Sequence, residues 1–128
     1  MAPTLYERVG GEAFFTALVD RFYAGVEADP VLRPLYPEDL TGPNEHLRLF
    51  LIQYWGGPRT YQEQRGHPRL RMRHAPFEIG LAERDAWLDR MLSALAEAGA
   101  DPADESEMAD YFRGAATQLI NQTGRPGT

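Results

Sequence analysis

From Arg65 to Phe77 the chain reads R-G-H-P-R-L-R-M-R-H-A-P-F, which is the least ordinary stretch of the sequence. Four arginines precede His74 in this run, Pro76 follows two places later, and the run contains no cysteine and no acidic residue. Zinc and di-iron sites are built with thiolate or carboxylate ligands, which His74 lacks as sequence neighbours. The pattern therefore argues against a metal site made only of protein side chains.

A lone histidine suits the axial position of haem, because the porphyrin supplies the other four iron bonds. The alternative is a helix-end histidine that hydrogen-bonds a backbone carbonyl. Two further features favour the haem interpretation. The chain has two Trp, six Tyr, six Phe and four Met, which could line a flat apolar ring. The four arginines could pair with the two carboxylates of haem. Each feature also has a structural explanation, since aromatic stripes usually form cores and arginine runs are usually solvated.

Composition places the chain among ordinary single-domain proteins. At 128 residues with 43% hydrophobic and 25% charged residues, one domain spanning residues 1–128 is expected, with 1–3 and 124–128 as loose termini. A net charge of -6 argues against nucleic acid or an anionic membrane as a partner. The absence of cysteine excludes disulfides and iron–sulfur sites, and no signal or membrane-spanning run is found. We expect a cytoplasmic location.

Apolar residues recur at helical spacing between glycine and proline breaks, which predicts an all-α fold with four main helices. Thr4 and Glu7 form a capping box that opens a short first helix. No segment alternates with the period of a strand. The predicted main helices span Glu12 to Glu27, Gly42 to Trp55, Ala82 to Ala98, and a last one from Asp101 or Asp104 through Ile120.

The segment from Pro58 to Arg69 is polar and has no periodicity, so it is predicted to be a long irregular loop. It leads into a short helix over Leu70–His74, which Pro76 should end. Loop and helix together are expected to form a wall that holds a ligand. His46 and His67 are interpreted as edge or surface histidines.

The sequence resembles the truncated haemoglobins of the two-over-two globin fold, and most of all their second group. The resemblance covers nearly the whole chain and is highly specific in the combination of its motifs. The motifs are Gly10-Gly11, Phe22-Tyr23, Tyr36, Tyr54-Trp55-Gly56-Gly57-Pro58, the run from Arg65 to Phe77, and Trp87. It implies a two-over-two helical sandwich with a long irregular loop before the short proximal helix.

The resemblance also implies a set of site residues. His74 would be the proximal ligand of the iron in haem b (iron protoporphyrin IX). Tyr23, Tyr36 and Trp87 would form a polar distal cluster, and Pro43 stands where other globins carry a distal histidine. The residues implied to hold the propionates are Arg73, Tyr61 and His67, and those implied to line the ring are Leu47, Phe50, Leu51, Leu70, Met72 and Phe77.

Several distal donors would retain dioxygen too tightly for simple delivery, which favours nitric oxide or peroxide detoxification supported by a separate reductase. Two other classes of function stay open. One is an oxygen store or carrier without catalysis, and the other is a haem-free helical interaction domain. Dioxygen and other small diatomic molecules are the expected ligands, and homo-oligomerisation is left open.

Overall fold

A computed structural model describes residues 2–121, so the predicted loose tail over 124–128 lies outside the described residues. No helix in the described part is both long and apolar enough to cross a membrane. The helices of that part are α1 Leu5–Arg8, α2 Glu12–Glu27, a 3-10 helix at Arg33–Leu35, α3 Thr41–Tyr54, α4 Thr60–Arg65, α5 Leu70–His74, α6 Leu81–Glu97 and α7 Pro102–Gln118.

The long helices pack as two pairs. Helix α2 packs against α3, α6 packs against α7, and α2 also contacts α6 and so joins the pairs. No strand occurs in residues 2–121. The predicted all-α, two-over-two fold is confirmed, and the four main helices begin and end within a few residues of their predicted limits.

Helix α2 supplies the centre of the core. Its apolar residues recur every three or four positions, and Phe15, Leu18 and Phe22 are fully buried as a result. Complete burial of one such side chain stabilises the fold by roughly 1.5–3 kcal/mol. Met91 and Leu95 on α6 are buried in the same cluster, so the stripe on α2 fixes how the two helix pairs meet.

Two glycines let the chain turn sharply after α3. Gly56 has a φ of +95°, a conformation that L side chains rarely adopt. A Cβ on Gly57 would lie 2.7 Å from Cγ2 and 2.9 Å from the carbonyl oxygen of Ile52. Glycine is therefore required at both positions, by the backbone conformation at Gly56 and by close packing at Gly57. Together the two glycines direct the chain from α3 into α4.

The corner between α2 and α3 is held by two charged side chains. The carboxylate of Asp29 accepts hydrogen bonds from the amides of Val31 (2.9 Å) and Leu32 (3.2 Å) and from Nε of Arg90 on α6 (3.0 Å). The Arg33 guanidinium donates to the carbonyls of the next residues, at 3.4 Å for Tyr36, 3.0 Å for Pro37 and 2.8 Å for Glu38. These contacts fix the backbone that carries Tyr36.

The prediction of a wholly irregular segment from Pro58 to Arg69 is wrong in one respect, because α4 lies within it. Tyr61 is the buried residue of this helix, and Gln53 of α3 accepts the amide of Gln62 at 2.8 Å. A helix of six residues that buries a single side chain leaves no periodic pattern in the sequence. The predicted short helix Leu70–His74 is confirmed with the same limits.

Candidate functional site

A cavity of about 410 Å³ lies between the two helix pairs and is closed on one side by α4 and α5. This volume is within the range of small-molecule and cofactor sites. Leu47, Phe50 and Leu51 of α3 form one wall, and Leu70 and Phe77 lie at the short helix. These five residues were predicted to line a ring, and the structure brings them together.

Met72 and His67, which were also predicted to contact the cofactor, are not brought to this cavity wall. Met72 is 59% exposed, because it lies on the side of α5 opposite to Leu70 and His74, which line the cavity. His67 is exposed, and its Nδ1 accepts the amide of Arg69 at 3.1 Å. This contact fixes the turn before α5, where Arg69 has a positive φ of 44°.

His74 forms part of the cavity wall at the end of α5. Its Nδ1 lies 2.6 Å from the carbonyl oxygen of Leu70. A carbonyl oxygen only accepts hydrogen bonds, so Nδ1 carries the proton and Nε2 of the neutral ring keeps a lone pair. The backbone hydrogen bond, which was the alternative explanation of this histidine, is therefore also the contact that orients a metal-binding imidazole.

Metal binding by a cluster of side chains finds no support in the described part of the chain. No group of three or more His, Cys, Asp or Glu side chains is placed there to hold a metal ion. A metal ion bound by His74 would therefore need most of its ligands from a source other than these side chains.

Tyr23, Tyr36 and Trp87 meet in the cavity wall from α2, the corner segment and α6, and we call them the polar aromatic cluster. The Tyr23 and Tyr36 rings lie 5.6 Å apart, edge to face. Burial raises the pKa of Tyr23 far above its usual value, and the neighbouring Tyr36 raises it further. Burial also raises the pKa of Tyr36 to about 12, although hydrogen bonding from Trp87 and Tyr23 opposes this. Both phenols therefore keep their protons at neutral pH.

A second polar group consists of His46, Tyr61, Arg65 and Arg73, which we call the basic cluster. Nη1 of Arg65 lies 3.1 Å from Nε2 of His46, and the guanidinium carbon lies 5.9 Å from the centre of the Tyr61 ring. Nε of Arg65 is buried and has no hydrogen-bond partner among the residues that the structure describes. A buried donor without a partner is costly, so this atom points to a missing acceptor.

Arg73 plays a partly different role from the one predicted. Its guanidinium lies in the cavity wall but donates to three backbone carbonyls, at 2.7 Å to Pro68, 3.0 Å to Arg65 and 3.4 Å to His67. It thereby ties the turn between α4 and α5 to the short helix. Arg73 holds the wall together as well as facing the cavity.

The sequence offered Arg65 only as one of four arginines that could pair with the haem carboxylates, and it did not identify His46 as a site residue. His46 was interpreted as an edge histidine, yet it lies one turn before Phe50 on α3 and faces the same cavity. The spacing of one helical turn between His46 and Phe50 was the sequence signal that could have placed His46 in the cavity wall. Burial first, and then the positive charge of Arg65, lowers the pKa of His46. Helix α7 and the residue that follows it add further wall residues: Tyr111, Phe112, Ala115, Ala116 and Leu119.

The residues fit a haem group. The walls are largely apolar, His74 offers one ring nitrogen, and the buried Nε of Arg65 lacks the acceptor that a propionate would provide. An all-helical sandwich that encloses a largely apolar cavity with one available histidine nitrogen is suited to bind haem.

Comparison with known proteins gives the same class. The model of the bacterial-like globin family matches residues 4–121. The group 2 truncated haemoglobin YjbI of Bacillus subtilis is 41% identical over 122 residues, covering 92% of this chain and 89% of that protein. The crystal structure of the Chloroflexus aurantiacus haemoglobin matches with a TM-score of 0.93 and 63% identity, covering 94% of this chain and 100% of that one. The X-ray structure of a truncated oxygen-avid haemoglobin from Bacillus subtilis matches with a TM-score of 0.88 and 38% identity, covering 93% and 100%.

The chain belongs to the bacterial-like globin family and, within it, to the group II truncated haemoglobins. Membership implies that it binds haem and, through haem, dioxygen and other diatomic ligands. The resemblance found in the sequence motifs is confirmed.

Proposed function

We propose that this globin binds haem b through His74 and retains dioxygen for a redox reaction with nitric oxide or a peroxide. The observation that carries the proposal is the polar aromatic cluster, which places two phenols and one indole in the wall of a largely apolar cavity. The oxygen-avid relative from Bacillus subtilis supports the retention of oxygen. We further propose a cytoplasmic location and a separate reductase that restores the ferrous state.

When bound, haem supplies an iron atom that takes up dioxygen and exchanges single electrons. Tyr23 and Tyr36 keep their hydroxyl protons, and the Trp87 indole is a donor only, so all three can hydrogen-bond a partly negative oxygen atom. Each such bond is worth roughly 1.5–3 kcal/mol. Because about 1.4 kcal/mol slows escape tenfold, even one or two bonds make the protein a poor deliverer of oxygen.

The proposal is tested by mixing the oxygen-loaded ferrous protein with nitric oxide. Nitric oxide, dioxygen and one electron from ferrous iron give nitrate and leave the ferric protein. We expect stoichiometric nitrate and conversion to the ferric spectrum much faster than spontaneous oxygen release, or fast reduction of hydrogen peroxide by the ferrous protein. Rapid oxygen release with no reaction towards either compound would instead identify an oxygen carrier.

Arg65 and Tyr61, with Arg73 beside them, are proposed to hold the haem carboxylates. His67 and Met72 have no part in this proposal, because neither lies in the cavity wall. Replacing Arg65 by leucine removes this buried donor and, with it, the proposed hydrogen bond to a haem carboxylate. Haem should then transfer to an acceptor apoprotein about ten- to a hundredfold faster, since a hydrogen bond to a charged group is worth about 1.5–3 kcal/mol.

Arg59→Leu is the matched control, because Arg59 is an exposed arginine at the start of α4. Its haem loss should equal that of the unaltered protein. Haem dimethyl ester provides a second control, because it has no carboxylate charge and should dissociate at similar rates from the Arg65→Leu variant and the unaltered protein. A large difference with the ester would remove the propionate role from Arg65.

A further inference from the structure

We infer that Asn121, just beyond the end of α7, is a positioning residue for His74. The inference rests on the proposed role of His74 as the iron ligand. Asn121 does not touch the cavity. It acts through the connection between α5 and α6, which begins directly after His74.

Asn121 makes three hydrogen bonds to this connection and a fourth to His74, the last residue of α5. The amide of Asn121 donates to the carbonyl of Ile79 at 2.8 Å, and its Oδ1 accepts the amide of Ile79 at 2.8 Å. Its Nδ2 donates to the carbonyl of Phe77 at 2.7 Å and, more weakly, to that of His74 at 3.4 Å. The reciprocal pair with Ile79 resembles a short piece of β-ladder, and the side-chain amide extends it back to His74.

Within the described part of the chain, few other contacts hold this connection in place. Residues 75–78 are exposed, and Pro76 has no backbone N–H to donate. Helix α5 has only five residues, too few to be stable by its own hydrogen bonds. The last carbonyls of any helix also need partners outside it. The His74 carbonyl receives the amide of Phe77 at 3.0 Å and Nδ2 of Asn121.

The side-chain hydrogen bonds of Asn121 do not serve to cap the C-terminus of α7. An asparagine that only capped α7 would bond carbonyls of its own last turn, whereas the side chain of Asn121 bonds residues 42 to 47 positions away. Helix α7 supplies Ala115 to the cavity wall, and Leu119, directly after its end, also lies there. Asn121 therefore sets the position of α5, and with it the His74 ring, relative to a wall of the same cavity.

Two variants separate the parts of this tether. Asn121→Asp keeps an oxygen for the Ile79 amide but replaces the Nδ2 donor with a carboxylate, and Asn121→Ala removes both. The control is Gln118→Ala, at the exposed last residue of α7. The primary measurement is the iron–histidine stretching band of the haem-loaded ferrous protein in resonance Raman spectra. Exchange of the Ile79 amide with deuterium reports the tether directly.

We expect the band to shift and broaden in both Asn121 variants and to stay unchanged in Gln118→Ala. Partners that orient a metal-bound histidine typically change metal affinity by 10- to 100-fold, so haem loss should be about tenfold faster. A lower melting temperature with an unshifted band in both Asn121 variants would show that Asn121 has only a structural role. If the unaltered protein shows no iron–histidine band, the proposed role of His74 fails and this inference fails with it.

Discussion

His74→Gly is expected to abolish stable haem binding, so that the variant purifies without the Soret band that the unaltered protein shows after haem supply. The reason is the hydrogen bond from Nδ1 to the Leu70 carbonyl, which leaves Nε2 as the nitrogen available to iron. Losing this ligand removes the only proposed protein bond to the metal. Added imidazole should fit the space left by the side chain and restore a Soret band.

His46 offers an unusually close control, because it is another histidine in the same cavity wall. Its Nε2 lies 3.1 Å from Nη1 of Arg65, and a guanidinium can only donate. The lone pair of His46 Nε2 therefore already accepts a hydrogen bond from Arg65 and is not available to iron. His46→Ala should keep the Soret band and the iron–histidine stretching band. If His46→Ala lost both bands and His74→Gly kept them, the assignment of the ligand would be reversed.

The parts of the fold with strong local signals were predictable from sequence. Helix α2 matches its predicted limits, because a continuous apolar stripe is bounded by Gly11 and by the Asp29-Pro30 pair. Helix α5 also matches, although it is too short to show periodicity. There the polar segment that ends at Arg69 and the proline at position 76 supplied the limits. Residues whose role depends on one strong local pattern were predicted best.

Contacts between distant segments were not predictable in this way. Arg65 and His46 are 19 positions apart, and the sequence around neither residue predicts their contact. Asn121 and Phe77 are 44 positions apart, and an asparagine after a helix normally indicates only where that helix ends. The exposure of Met72 was not predictable for a related reason, because the family resemblance implied a place on the cofactor wall but the direction of this side chain depends on how α5 packs.

Trp87→Phe is expected to accelerate oxygen dissociation from the ferrous protein by about ten- to a hundredfold, since the indole donor is worth roughly 1.5–3 kcal/mol. Phenylalanine keeps most of the apolar contact with Phe22 and Phe112, whose rings lie 5.2 and 5.9 Å from that of Trp87. The substitution therefore removes a donor more than it removes packing. Stopped-flow displacement of oxygen by carbon monoxide measures the rate.

Trp55 provides the matched substitution, because it is the other of the two tryptophans and is buried in the core outside the cavity wall. Trp55→Phe should lower the melting temperature and leave the oxygen dissociation rate near that of the unaltered protein. Equal acceleration in both variants would attribute the effect to loosened packing and remove Trp87 from oxygen retention.

Tyr36→Phe then tests whether the Tyr36 hydroxyl donates to oxygen itself or acts through the neighbouring donors Tyr23 and Trp87. Burial raises the pKa of Tyr36 to about 12, so its phenol stays protonated and the dissociation rate should not vary with pH across the neutral and mildly alkaline range. Tyr23 and Trp87 lie in the same cavity wall as Tyr36, and the Tyr23 ring lies 5.6 Å from that of Tyr36, so removing the Tyr36 hydroxyl changes the surroundings of two donors as well as deleting one. The effects of Trp87→Phe and Tyr36→Phe should therefore not add. A double variant whose acceleration equals the product of the two single effects would show instead that each donor acts on oxygen independently.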